Sequence, residues 1–267
     1  MKVSTFLKRA ILPVTAAFML AGCGSSDSAS GSKENVLEKI EEEKVITWGV
    51  KNDTRLFGLM NTETNEVEGF DIDLARALTK EMFGEDTEVK LKEVTSKTRI
   101  QLLNGGDIDA IIATMTITDE RKKEVDFSDV YFDAGQSLLV KKGSDITGVD
   151  SLAGKTVLAV KGSTSAINIR EKAPEAEVLE FENYAEAFTA LKQGNGDALT
   201  TDDSILYGMA DEDPSFELVG GQFTEEPYGI AIKKGNEDFV EKVNEALKAL
   251  KDSGEYDEIK DKWIKAN

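Results

Sequence analysis

Three observations predict an α/β fold. Short β-type runs alternate with helical runs from residue 44 onward. The alternation starts afresh near Ser151, and apolar residues make up 40% of the chain. Repeated strand–helix–strand units build sheets with parallel strands and helices on their faces. The length suits one or two compact domains.

Each element has its own local signal. Residues 44–50 read as a strand, with Val45, Ile46 and Val50 apolar. Gly69-Phe70-Asp71 opens a helix over 72–82, with Asp71 placed to cap it. A second strand covers 89–94. Ser96 is read as the cap of a short helix through Leu103, ended by Asn104-Gly105-Gly106. Residues 109–114 form a buried strand, and Thr118 caps a helix containing Arg121.

In the second run, 156–160 is a strand. Lys161-Gly162-Ser163-Thr164-Ser165 is a polar turn into a helix that ends at Lys172. A strand at 178–181, a helix at 184–192 and strands at 197–201 and 228–232 follow. Phe239, Val243, Ala246, Leu247 and Leu250 then make an apolar stripe at helical spacing. Trp263 is read as a packing anchor on a last short helix.

The N-terminus carries a different signal. Lys2, Lys8 and Arg9 precede an apolar run at 10–20, which is too short to span a bilayer as a permanent helix. Leu20-Ala21-Gly22-Cys23 closes it with small residues and the only cysteine. This segment resembles a bacterial lipoprotein signal peptide. The resemblance implies cleavage before Cys23, a diacylglycerol on its sulfur, and a lipid anchor on the outer face of the cytoplasmic membrane. The alternative is a thiol behind an ordinary signal peptide. Residues 1–22 are thus read as signal peptide. Residues 23–38, with Gly24-Ser25-Ser26-Asp27-Ser28-Ala29-Ser30-Gly31-Ser32, are read as a flexible tether.

Composition excludes several classes. The formal net charge is −19, which argues against nucleic acid as a partner and against adsorption to anionic lipid. Histidine is absent, so Ser-His-Asp and Cys-His catalysis are excluded, and the commonest transition-metal ligand is missing. No acidic loop has EF-hand spacing, so no metal is expected. Gly154-Lys155-Thr156 lacks the upstream glycine of a P-loop, because position 149 is valine. No cofactor is expected.

A family resemblance rests on an ordered set of motifs. These are Gly69-Phe70-Asp71-Ile72-Asp73-Leu74, Thr116-Ile117-Thr118-Asp119-Glu120-Arg121, Asp126-Phe127-Ser128, Val160-Lys161-Gly162-Ser163-Thr164 and Gly196-Asp197-Ala198. The closing Tyr256-Asp257-Glu258-Ile259-Lys260-Asp261-Lys262-Trp263 belongs with them. The chain after the tether resembles the polar amino-acid-binding proteins of ABC importers, solute-binding protein family 3. The resemblance implies a two-lobed, type II periplasmic-binding-protein fold with the ligand in the cleft. Lobe 1 would comprise 39–131 and 228–267, and lobe 2 would comprise 135–224. The hinges would lie at 131–135 and 224–228.

A buried zwitterion needs an anion site and a cation site. Arg121 offers a planar fork suited to a carboxylate and lies at a helix start, and the family arginine at this place binds the ligand α-carboxylate. Thr116, and Thr164 and Ser165 at the start of the helix after Ser163, would complete that site. Asp202 resembles the family aspartate that pairs with the α-amine, with Thr114 and Thr116 sharing the task. Asp203 competes for the role, and a turn cap is the plain alternative for either.

The side-chain end is assigned to Lys51, Arg99, Ser96 and Lys161. Members that bind glutamate or aspartate carry a basic residue at the Lys51 position and an arginine in a run like Thr95-Ser96-Lys97-Thr98-Arg99. Glutamine-binding members carry aromatic residues where this chain has Thr54 and Ser96. Two cations at one end favour a ligand carboxylate, because an unpaired buried charge costs about 3–5 kcal/mol. A glutamine amide requires a protein carboxylate, Asp53 for example, to balance them.

The expected function is capture of glutamate or aspartate by hinge closure and delivery to an ABC permease, by a monomer without enzymatic activity. Glutamine is the alternative ligand. A cyclohexadienyl-dehydratase-like enzyme on the same fold is the alternative of another class, and it would need a general acid such as Glu180 or Glu182.

Overall fold

The computed structural model describes residues 35–264. The segment expected to be a signal peptide, Cys23 and the expected tether up to Glu34 lie outside the described residues. The expectation of a tether through 38 overlaps a helix. Helix α1 (Val36–Glu43) starts earlier, because the Asn35 side chain accepts from Glu38 N at 3.2 Å and Val36 and Ile40 bury one face.

Strand β1 (Val45–Val50) leads to a small three-stranded meander, β2 (Asp53–Thr54), β3 (Gly58–Asn61) and β4 (Glu66–Glu68). Helix α2 (Phe70–Phe83), strand β5 (Glu88–Glu93), helix α3 (Arg99–Asn104) and the two-residue β6 (Ala110–Ile111) follow. Helix α4 (Arg121–Glu124) is a single turn before the long β7 (Val125–Ala134).

The second half contains β8 (Gln136–Lys141), β9 (Thr156–Val160), α5 (Thr164–Lys172), β10 (Glu177–Phe181) and α6 (Tyr184–Lys192). It continues with β11 (Ala198–Asp202), α7 (Asp203–Glu212) and β12 (Phe216–Val219). Strand β13 (Glu226–Lys233), α8 (Glu237–Ser253) and α9 (Glu255–Trp263) return to the first half.

Two five-stranded sheets share one plan. The first runs β5-β1-β6-β13-β7 and the second β10-β9-β11-β8-β12. In each, three strands are parallel, the fourth is antiparallel to them, and the fifth pairs antiparallel with the fourth. Parallel strands put helices on both faces, and ligand sites form at the carboxyl ends of such strands.

The chain leaves the first sheet at Ala134 and enters the second at Gln136. Ala134 pairs with Glu226 and Asp133 with Pro227, so the two crossing segments run side by side. Gly135 is required there, because a Cβ would sit 2.5 Å from the Gln222 side chain and 2.7 Å from Thr224 O. First-sheet pairing continues past the expected limits at 131 and 228, out to Ala134 opposite Glu226.

The first lobe's core includes an aromatic cluster under these strands. Phe57, Phe70, Phe132 and Tyr228 pack with ring centroids 5.2–6.0 Å apart, and Tyr131 and Tyr256 join through Phe70. The α8 stripe is buried at all five expected positions. Trp263 donates its Nε1 proton to Asp73 at 2.7 Å, tying α9 to α2.

Local capping differs from expectation in two places. Asp71 does not cap α2. Gly69 holds that position, and the Asp71 carboxylate accepts instead from Thr114 N at 3.0 Å and Tyr131 OH at 3.1 Å. Ser96 does not cap α3. Thr95 and Thr98 bond each other reciprocally, and the helix starts at Arg99. The strand expected over 109–114 is cut to β6, and the chain bends at Ala113 and Thr114, where Thr114 has φ 46°.

Candidate functional site

The carboxyl ends of the parallel strands face one cleft between the sheets. Lys51 directly follows β1, and Arg99 begins α3, which follows β5. Thr114 follows β6, the 161–165 turn follows β9, and Asp202 ends β11. Both lobes contribute, so the site exists only where they meet.

The first lobe supplies three cations. Lys51 is 1% exposed. Its Nζ donates to Ser96 Oγ at 3.0 Å and lies 5.0 Å from the Tyr184 ring centroid of the other lobe. Burial pushes this ammonium down to about 8, Asp53 pulls it back up, and Arg99 and Arg121 push it further down.

Arg99 is 2% exposed and donates from Nη1 to Ala113 O at 2.8 Å, while its Nε has no partner among the described residues. Burial and then Arg121 lower its pKa to about 9, leaving it charged at neutral pH. Arg121 donates from Nη1 to Thr116 O at 2.7 Å and from Nη2 to Gly162 O of the second lobe at 3.1 Å. Thr118 Oγ1 accepts from Arg121 N at 3.2 Å, but the N-cap position of α4 falls on Glu120 rather than on the expected Thr118. With one turn of helix, α4 adds little dipole field at Arg121.

The second lobe supplies hydroxyls, the start of α5 and one carboxylate. Ser163 caps α5 by accepting from Ala166 N at 3.2 Å, and its own proton goes to Val160 O at 2.7 Å. Thr164 Oγ1 lies 3.5 Å from Thr116 Oγ1 across the cleft and donates to Glu226 Oε2 at 2.8 Å. Ser165 Oγ lies 3.4 Å from Thr201 Oγ1.

Asp202 is 4% exposed. Its Oδ2 accepts from Tyr228 OH at 2.6 Å, and its Oδ1 has no partner among the described residues. Burial pushes its pKa up to about 7, with Glu226 and Asp203 acting in the same sense and Tyr228 and Arg121 opposing. Asp203 is spent elsewhere, accepting from Ser204 N at 2.7 Å and Gln222 Nε2 at 2.8 Å beside the crossover.

Gly162 shows how tightly the lobes meet. It has φ +75°, and a Cβ there would lie 2.7 Å from Lys97 Cα. Across another part of the cleft, Asp53 Oδ2 accepts from Tyr184 N at 2.7 Å, closing the N-terminus of α6 from the opposite lobe.

The structure therefore gathers Lys51, Ser96, Arg99, Thr114, Thr116, Arg121, Thr164, Ser165 and Asp202 around the cleft. It does not bring Lys161 in. That ammonium is paired with the exposed carboxylate of Glu182, which raises its pKa, because the side chain after β9 turns outward. Glu182 is thereby committed to a surface pair, and Glu180 is bound to Arg170 at 2.6 Å, so neither nominated acid faces the cleft.

Four participants are not assigned to the site by the sequence reading. Glu226 and Tyr228 arrive on the returning β13, Tyr184 starts α6, and Asp71 reaches a backbone amide 43 residues away. Among the described residues, no group of three or more Cys, Asp or Glu could share a metal ion. No helix among them is long and apolar enough to cross a membrane.

A zwitterion matches this arrangement. Arg121 retains donors for an anion, and Asp202 Oδ1 is a buried acceptor in want of a donor. Buried polar atoms of this kind are seldom left unsatisfied in native proteins.

The family model of the bacterial extracellular solute-binding proteins, family 3, matches residues 46–266. The chain is 61% identical to the ABC transporter glutamine-binding protein GlnH of Bacillus subtilis, over 96% of each chain. It is 56% identical to the glutamine-binding protein of Geobacillus stearothermophilus, covering 88% of this chain and 93% of that one. A solved ancestral arginine-binding protein bound to glutamine is 41% identical with a TM-score of 0.79, covering 84% of this chain and 99% of that one.

Proposed function

The chain belongs to the bacterial extracellular solute-binding proteins, family 3, and on that premise we propose that it captures L-glutamine for an ABC importer. It is a binding protein rather than an enzyme. The observation that carries the reading is the opposition of Arg121 and Asp202 from different lobes. Arg121 takes the α-carboxylate, with Thr116 and with Thr164 and Ser165 at the start of α5. Asp202 takes the α-ammonium through Oδ1, with Thr114 and Thr116.

Lys51, Arg99 and Ser96 form the side-chain end. The expected preference for glutamate or aspartate is withdrawn. The relatives at 61% and 56% identity are both named for glutamine. The charges also support a neutral side chain. Asp53 acts on Lys51, and Asp71 feels both Lys51 and Arg99, so the two cations do not stand alone. The missing aromatic sandwich is partly replaced by Tyr184, whose ring lies under Lys51.

Cys23 anchors the protein by lipid on the outer face of the membrane. The folded part works as a monomer that shuts over its ligand and presents the closed form to the permease. Calorimetry with L-glutamine, L-glutamate, L-aspartate and L-arginine tests the ligand. Glutamine is expected to bind tightest by at least about tenfold, a gap of about 1.4 kcal/mol. Tighter binding of glutamate would overturn the assignment.

A further inference from the structure

One peptide unit is held at both ends by opposite charges. The carbonyl of Ala113 accepts from Arg99 Nη1 at 2.8 Å, and the amide of the next residue, Thr114, donates to Asp71 Oδ2 at 3.0 Å. These are the two ends of a single peptide plane. Asp71 is fully buried and also accepts from Tyr131 OH at 3.1 Å, on a strand that leads to the crossover. Thr114 has φ 46°, a conformation that costs a β-branched residue energy and persists only where its surroundings impose it.

Resting on the glutamine reading above, we infer that Asp71 sets the preference for an uncharged ligand side chain without touching the ligand. It is a positioning residue. It fixes the Ala113–Thr114 peptide against Arg99 and supplies the negative charge that balances Arg99 and Lys51. Without that charge, the two cations facing the side-chain end would favour a carboxylate there. With it, an amide is the better match.

The groups that face Asp71 come from five elements or turns. They are Lys51 after β1, Arg99 on α3, the Thr114 amide after β6, Tyr131 on β7 and Tyr256 on α9. Burial pushes Asp71 up to about 7, while the two hydrogen bonds and the two cations hold it down. The sign follows. As pH falls through about 7, Asp71 takes up a proton, the pocket becomes more positive, and glutamate gains on glutamine. Asp202 titrates in the same range, but it faces the ammonium common to both ligands, so its effect cancels in their ratio.

Calorimetry on the full-length protein measures Kd for L-glutamine and L-glutamate at pH 7.5 and pH 6, in the wild type and in Asp71→Asn. Asparagine keeps an acceptor for Thr114 N and removes the charge. At pH 7.5 the substitution is expected to lower the glutamate-to-glutamine Kd ratio by about tenfold, the scale of one charge acting across a partly buried site. The wild-type ratio should fall in the same sense between pH 7.5 and pH 6, and the variant's ratio should fall less, because only Lys51, at about 8, still gains charge there.

Equal weakening of both ligands by Asp71→Asn would overturn the inference, leaving only a structural role. If the variant does not fold, the wild-type series decides, and a constant ratio overturns it. A wild type that prefers glutamate at pH 7.5 would overturn the glutamine reading instead. The change of ratio on substitution would still decide the role of Asp71.

Discussion

The two walls of the cleft are built on the same sheet plan and carry opposite chemistry. The first lobe presents Lys51, Arg99 and Arg121, each bonded to a carbonyl or hydroxyl of its own lobe. The second presents hydroxyls, the start of a nine-residue helix and one carboxylate with an oxygen that has no partner among the described residues. Strand order is common to both, so topology alone does not assign function. What differs is the residue that follows each parallel strand, and a ligand with one positive and one negative pole can satisfy both walls only when they close together.

The most damaging way to test that opposition is to remove the cation. Arg121→Ala is expected to weaken L-glutamine binding by about a hundredfold or more, measured by calorimetry, since breaking one partner of a buried charge pair costs about 2–5 kcal/mol. Binding within a few fold of wild type would show that the first lobe does not hold the α-carboxylate there.

Removing the opposing charge comes next. Asp202→Asn should cost about thirtyfold in affinity, or about 2 kcal/mol, and should also flatten the pH dependence. In the wild type, Asp202 sits near 7 in the free protein because burial disfavours its charge. A bound ammonium favours the carboxylate, so binding releases a proton below that pH. Affinity is then full above about 7 and falls as pH drops through it, by up to about tenfold per unit. A wild-type affinity that is flat from pH 8 to pH 6 would contradict this account of Asp202.

A smaller effect is expected at the supporting hydroxyl. Tyr228→Phe deletes the 2.6 Å bond to Asp202 Oδ2, one of the influences that hold the carboxylate down. Loss of one hydrogen bond to a charged group should cost about 1.5 kcal/mol and move the pH midpoint upward. An unchanged midpoint would separate Tyr228 from the ligand's cation site.

The smallest effect is expected outside the cleft. Lys161→Ala removes an exposed pair with Glu182 and should change affinity by less than about twofold, in keeping with the small worth of surface ion pairs. A large loss would return Lys161 to the side-chain end.

How much of this was legible in the sequence depended on the range of each interaction. Helix α6 was readable to its ends because Asn183 caps it locally by accepting from Glu186 N. Arg121 and Asp202, proposed for the two poles of the ligand, lie in motifs that sit at strand and helix ends. Asp71 and Ser96 were misread as caps. Their residue types suit that role, but their polar atoms serve partners far along the chain, Thr114 N and Lys51 Nζ. The side chain of Lys161 shows the same limit in reverse, because nothing local says which way it turns after β9. Glu226 and Tyr228 lie on a strand that completes the first sheet after the chain has built the second, and no neighbouring residue announces that return. The acidic-ligand expectation has a related origin. Two cations are visible in the sequence, while nothing local shows that Asp71 is buried within their field.

A crystal structure with L-glutamine bound tests the central claim most directly. The α-carboxylate should lie on the Arg121 guanidinium and the ammonium within hydrogen-bond reach of Asp202 Oδ1, with both lobes closed on the ligand. A glutamine bound elsewhere, with Arg121 and Asp202 both turned to solvent, would contradict the account.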